Sequence, residues 1–353
     1  MMERIGTFCK RKNIEVSARR YGVDALGAMA QGLFCSLLIG TILDTLGKQL
    51  ELEMLVTIGG YASAMSGPAM AAAIGYALQC PPLVLFSLIP VGNAANGLGG
   101  AGGPLAVLVI AIVAAECGKA VSKETKIDLL VTPLVTILTG VALSAAIAPG
   151  IGQAASSVGQ IIMWATELQP FLMGIVVSVV IGIALTLPIS SAAICAALSL
   201  TGLAGGAAVA GCCANMVGFA VMSFKENSWG GLVSQGIGTS MLQMGNIVRN
   251  PKIWLPTLLT SAVTGPLATC VFHLEMNGAA VSSGMGTCGL VGQIGVYTGW
   301  VNDVANGVKA SITGFDWLGL ILISFVLPAV LCWGIGQVFR RVGWIREGDL
   351  KLY

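Results

Sequence analysis

Windows of about 20 apolar residues, the length that crosses a bilayer core, follow one another through this chain almost without polar linkers. With 56% hydrophobic and 10% charged residues over 353 positions, an ordinary soluble protein is excluded. The expected class is an all-α polytopic membrane protein, with no room between spans for a soluble domain. Its 48 glycines against 6% aromatic residues favour close helix packing and broken helices over smooth lipid-facing spans, which leans toward a transporter.

Other classes fall away. The ten cysteines are scattered singly apart from Cys212-Cys213, with no CxxC or Cys/His spacing, so they read as small buried apolar residues and no metal or cofactor is expected. No nucleophile and base stand at a recognisable spacing, so no catalytic residue is assigned. The net charge of +2 sits at the ends and in short loops, unlike a nucleic-acid patch, and no nucleic-acid partner is expected. The first segment, 1–23, carries Arg4, Lys10, Arg11, Lys12, Arg19 and Arg20 without an apolar core. It is a cytoplasmic basic arm rather than a secretory signal, and membrane lipid is its expected partner.

Apolar length and the positive-inside rule predict about ten spans: 24–46, 54–79 interrupted at Gly67-Pro68, 83–96, 104–121, 127–148, 169–187, 189–203, 206–224, 253–272 and 317–339. Lys119, Lys123 and Lys126 place their loop inside. Segment 149–166, free of Lys and Arg, is expected to stay outside. Two glycine-rich stretches, Asn227 to Asn246 and Ser282 to Trp300, are too polar or too interrupted to face lipid and read as re-entrant hairpins entered from opposite sides. Both termini are then cytoplasmic. PAMAAAIGYAL at Pro68 and PISSAAICAAL at Pro188 match at an offset of 120 residues, a candidate internal repeat that competes with chance similarity of alanine-rich segments. The organisation expected is arm 1–23, eight-span scaffold 24–224, hairpin-containing substrate-binding region 225–339 and cytoplasmic tail 340–353.

Polar groups gathered among apolar segments are costly and mark a substrate or ion path. They concentrate between Ser223 and Glu275. For Glu226 with Asn227, a carboxylate that accepts sugar hydroxyls or serves phosphoryl transfer, with Lys225 favouring its charged form, stands beside a plain boundary pair in water. Gln235, Thr239, Ser240, Gln243 and Asn246 offer donors and acceptors without net charge, and the spacing of Thr239, Gln243 and Asn246 would set them on one helical face. Their competing role is to satisfy the hairpin's own backbone. His273, the only histidine, and Glu275 form a proton site or sugar clamp, or else cap a helix end. In the second stretch, Thr287 and Gln293 lie among glycines where backbone can approach a ligand. Glu116 reads as paired or snorkelling near Lys119, and Asp44 as a boundary residue.

The run SQGIGTSMLQMGNIVRNPKIWLPTLLTSAVTGPLATCVF, followed by GAAVSSGMGTCGLVGQIGVY, resembles the phosphotransferase-system sugar permeases of the enzyme IIC type, among them the perfringolysin-regulator-like membrane proteins. The resemblance extends over nearly the whole chain. It implies a permease component for a carbohydrate-like solute in the inner (plasma) membrane of a bacterial cell, a homodimer, and solute held between two hairpins. No IIA or IIB domain with a phosphoryl-accepting Cys or His is recognised, so separate IIA/IIB proteins are the expected partners. Alternatives are a membrane sensor or regulator that binds a ligand without net transport, which the regulator members of the family imply, and an ion-coupled carrier using Glu226 or His273.

Overall fold

The computed structural model describes residues 2–352. Met1, where the basic arm begins, and the side chain of Arg4 lie outside the described residues. Among the described residues there is no strand; the one bridge pairs Gly202 with Met276, N–H to O at 3.1 and 3.0 Å in the two directions. Helix is what oil demands, because it satisfies every backbone donor and acceptor within one segment. Several helices start on a proline near their first position, such as Pro82, Pro104 and Pro170, where the missing N–H has no intrahelical partner to lose.

Among the described residues, six helical stretches are long and apolar enough to cross a membrane: Arg20–Gln49, Pro82–Val121, Asp128–Thr166, Gly202–Met222, Pro251–Val271 and Gly314–Arg341. The protein is therefore a multi-pass, all-helical membrane protein. By contact the chain divides into two compact units, Met1–Ala154 and Ala155–Tyr353.

In the first unit, the expected short span at 83–96 is a helix in its own right. Pro82–Gly99, at 18 residues, is about 27 Å long, close to the thickness of the hydrocarbon core. Gly100, at φ +51°, reverses the chain into Gly103–Val121, and the two helices lie antiparallel, with Gly118 against Val84 and Gly103 against Asn96. The expected span 54–79 is broken, but at Met65 rather than at Gly67-Pro68: it consists of Glu53–Ala64 and Ser66–Ala77. The basic arm is tied to the unit's own loops. Arg11 and Lys12 both pair with Glu124, and the fully buried Lys119 ammonium meets Glu116 at 2.8 Å and the Asn13 carbonyl at 2.9 Å. Glu116 is thus a paired residue, and Asp44 pairs with Lys48 at 2.6 Å.

Two stretches depart from expectation. Segment 149–166 continues the helix Asp128–Thr166 straight through Pro149. Within segment 189–203 the helix Ser191–Ala197, at seven residues, is about 10 Å long and too short to cross by itself, and the helix Gly202–Met222 begins at the segment's end. Ser190 caps its start and Ser199, at φ +50°, follows its end. Of the two candidate repeat segments, the first therefore lies mostly within a twelve-residue helix and the second spans a break and this short one.

The second unit is built around α1 (Gly202–Met222), almost entirely buried, on which α2 (Pro251–Val271), α3 (Gly314–Arg341) and Pro170–Thr186 pack. Small residues let backbones meet. A Cβ at Gly211 would lie 1.9 Å from the Ser178 carbonyl oxygen, and one at Gly206 would lie 1.7 Å from that of Leu274. Thr313 and Asp316 form a capping box before α3.

Candidate functional site

The polar stretch after α1 folds into a ladder of side-chain amides. Gln235 donates from Nε2 to Ser223 Oγ at 2.8 Å, Gln243 donates to Gln235 Oε1 at 2.8 Å, and Asn246 donates to Gln243 Oε1 at 2.8 Å. Gln235 and Gln243 are fully buried and Asn246 nearly so. The expected shared face of Thr239, Gln243 and Asn246 is only partly formed. Thr239 has extended backbone (φ −157°, ψ 142°) and caps the turn Ser240–Gln243 through its Oγ1, so it stands outside the helical register that joins Gln243 to Asn246.

Ser240 turns the other way, into a second network around Asn215, in the middle of α1. Its Oγ shares a 2.8 Å hydrogen bond with Thr186 Oγ1. Asn215 Oδ1 accepts from Thr257 Oγ1 (3.0 Å), Trp254 Nε1 (3.1 Å) and Thr186 Oγ1 (3.4 Å), while its Nδ2 donates to the Gly211 carbonyl (3.1 Å) and Ser261 Oγ (3.3 Å). Asn215, Thr186, Ser240, Thr257 and Ser261 are all buried, and none carries charge. Sequence reading passed over Asn215, although a lone amide in an otherwise apolar 21-residue helix was the signal available.

The second glycine-rich stretch reaches the same helix. Thr287 donates to Met216 Sδ at 3.5 Å, and Gln293 donates from Nε2 to Ser324 Oγ at 3.0 Å and Cys213 Sγ at 3.3 Å, while its Oε1 is buried without a hydrogen-bond partner among the described residues. The turn Cys288–Leu290 packs against the turn Ser234–Gly238, so the two stretches meet beside α1. His273 and Glu275 are not part of that meeting point. Both are exposed on the turn that follows α2, where His273 has φ +45° and Glu275 accepts from Asn277 at 3.1 Å.

Glu226 has a partner that the sequence did not suggest. Lys225 beside it is exposed, and the cation at the Glu226 carboxylate is Arg340, 3.0 Å away. The same carboxylate accepts the backbone N–H of Leu350 at 2.9 Å and of Gly348 at 3.4 Å. Asn227, Gln243, Asn246 and Asn250 likewise bond to the backbone of 344–352, so the segment expected as the tail lies along the ladder. No group of three or more His, Cys, Asp or Glu among the described residues could hold a metal ion.

The family model for the phosphotransferase system, EIIC, matches residues 23–352. The chain belongs to that family. An EIIC chain is the permease part of its system, so this multi-pass chain is a membrane transport component. No curated protein and no solved structure matches this EIIC chain.

Proposed function

We propose that this EIIC chain carries a carbohydrate-like solute across the bacterial plasma membrane by alternating access, with the solute held between Asn227–Asn246 and Ser282–Trp300. The observation that carries this reading is the packing of Ser234–Gly238 against Cys288–Leu290 beside α1, with buried uncharged donors and acceptors from Gln235, Ser240, Gln243, Thr287 and Gln293 around it. Such groups match hydroxyls, which donate and accept at once. Glu226, Asn227, Thr239 and Asn246 extend the set toward the tail, while His273 and Glu275 would serve as a clamp only if their exposed turn closes over the solute.

In this arrangement 24–224 forms the scaffold and 225–339 the solute-binding region. Ten passages and two re-entrant hairpins leave both termini cytoplasmic, and Ser191–Ala197 makes its passage as a broken helix. The phosphoryl group comes from separate IIA/IIB proteins, and the chain works as a homodimer. The test is twofold: thermal shift of the purified protein with carbohydrates, polyols and sugar acids, and uptake by vesicles with a IIB partner present. A stabilised protein and accumulation of the same solute are expected, both weakened by Gln243→Leu. A protein that no such compound stabilises and vesicles that take none of them up would end the proposal.

A further inference from the structure

The ladder's outward hydrogen bonds go to one place. Gln243 gives one N–H to Gln235 and the other to the Leu350 carbonyl at 2.9 Å; Asn246 gives one to Gln243 and the other to the Lys351 carbonyl at 2.9 Å. Asn227 both donates to the Leu350 carbonyl (2.7 Å) and accepts the Leu352 N–H (2.9 Å), and Glu226 takes the Leu350 N–H. The tail's main chain therefore meets, with neutral donors and acceptors, the recognition groups that a polyhydroxylated solute would need.

Apart from these polar bonds, few buried side chains hold the tail. From Arg341 to Leu350 only Ile345 and Leu350 are buried, at 2% and 0% exposure, and most residues between them face outward. Gly343 and Gly348, at φ +78° and +92°, turn the chain through backbone conformations that other residues adopt at a cost. Few buried contacts and main-chain bonds that water can replace are the marks of a segment that opens separately from its core.

We propose that Trp344–Leu352 is a displaceable strap: it closes the groups of Glu226, Asn227, Gln243 and Asn246, and a solute reaches them only when it lifts. This rests on the solute reading above. Native-state hydrogen exchange on the full chain in detergent tests the strap without needing to know the solute. The Gly348, Leu350 and Leu352 amides should exchange at least about 100-fold faster than those at the centre of Gly202–Met222, through an opening that leaves that helix protected. Leu350→Glu, which puts a charge at a fully buried anchor beside Glu226, should speed their exchange further and increase the thermal shift given by a binding carbohydrate.

Exchange of the three amides only together with the helix core would overturn the strap, whatever binds; because this is read on the unaltered protein, it holds even if Leu350→Glu does not fold. A carbohydrate that binds equally well with the strap closed and released would also overturn it, while leaving the solute reading standing with a site elsewhere. If no carbohydrate binds either form, the solute reading fails and the strap falls with it as a solute gate.

Discussion

Replacing Asn215 by leucine deletes a side chain that takes part in five hydrogen bonds, three accepted and two donated. Counting about 1 kcal/mol for each would forecast a loss near 5 kcal/mol. The geometry argues for less. Thr257 already lies 2.9 Å from the Trp254 carbonyl, Thr186 lies 3.1 Å from that of Gly182, and Ser261 lies 2.9 Å from that of Thr257, so all three hydroxyls keep a partner. Only the Trp254 indole N–H loses its acceptor. The cost should then be that of one stranded donor, about 1–3 kcal/mol, in line with the modest worth of hydrogen bonds between helices in a membrane.

A double-mutant cycle isolates the stranded group. Trp254→Phe removes the indole N–H, so in the Asn215→Leu background it should cost about 1 kcal/mol less than in the wild type. Reversible unfolding in mixed micelles with rising detergent denaturant measures all four corners. Additivity within about 0.3 kcal/mol, or a loss for Asn215→Leu alone near 5 kcal/mol, would refute the argument that a single donor governs the cost.

Three further outcomes follow from the packing and charge. Gly211→Ala places a Cβ 1.9 Å from the Ser178 carbonyl oxygen and should cost about 1–3 kcal/mol by forcing helices apart, whereas Gly230→Ala, in the helix Phe224–Val233 with nothing within 4 Å, should cost nothing and stabilise by up to about 1 kcal/mol. The hydrogen bond from Lys12, helped by the charge of Arg11, holds the Glu124 carboxyl below its ordinary value of 4.5. A lowered folded value means that this attachment of the arm is fully present above 4.5 and is lost as pH falls through the lower folded value. Protection of the amides at residues 7–13, corrected for the pH dependence of intrinsic exchange, should thus fall as pH drops below 4.5, and Glu124→Gln should show that lower protection at neutral pH. Finally, Arg340→Gln leaves the carboxylate of Glu226 without its cation and should loosen the tail, seen as faster exchange at Leu350; unchanged exchange would show that the ion pair does not hold it.

Much of the candidate site was legible as composition but not as connection. The amides between Asn227 and Asn246 announced themselves by standing among apolar segments, and Gln243 and Asn246 were correctly set three residues apart on one face. Thr239 was misplaced because a threonine before a short turn caps it in extended backbone instead of joining it. Lys225 looked like the partner of Glu226 because it is adjacent, yet neighbours along a helix point different ways, and the cation comes from 114 residues away. Segment 189–203 has the apolar content of a span, but Pro188 and the serine cap at Ser190 shorten its helix, and what remains packs on the turn Ala280–Gly284.

What the sequence determined by itself is the material: backbone groups in oil must be satisfied within their own segment, so apolar windows alone oblige this chain to be helical and membrane-embedded. What the tertiary structure decided is which polar groups meet. The pairing of Asn215 with Trp254, of Ser234–Gly238 with Cys288–Leu290, and of the amide ladder with the tail joins residues 39 to more than 100 positions apart, such as Gln243 with Leu350. A side-chain amide can bond to any donor or acceptor brought within 3 Å, and only the packing of helices onto Gly202–Met222 selects which one arrives.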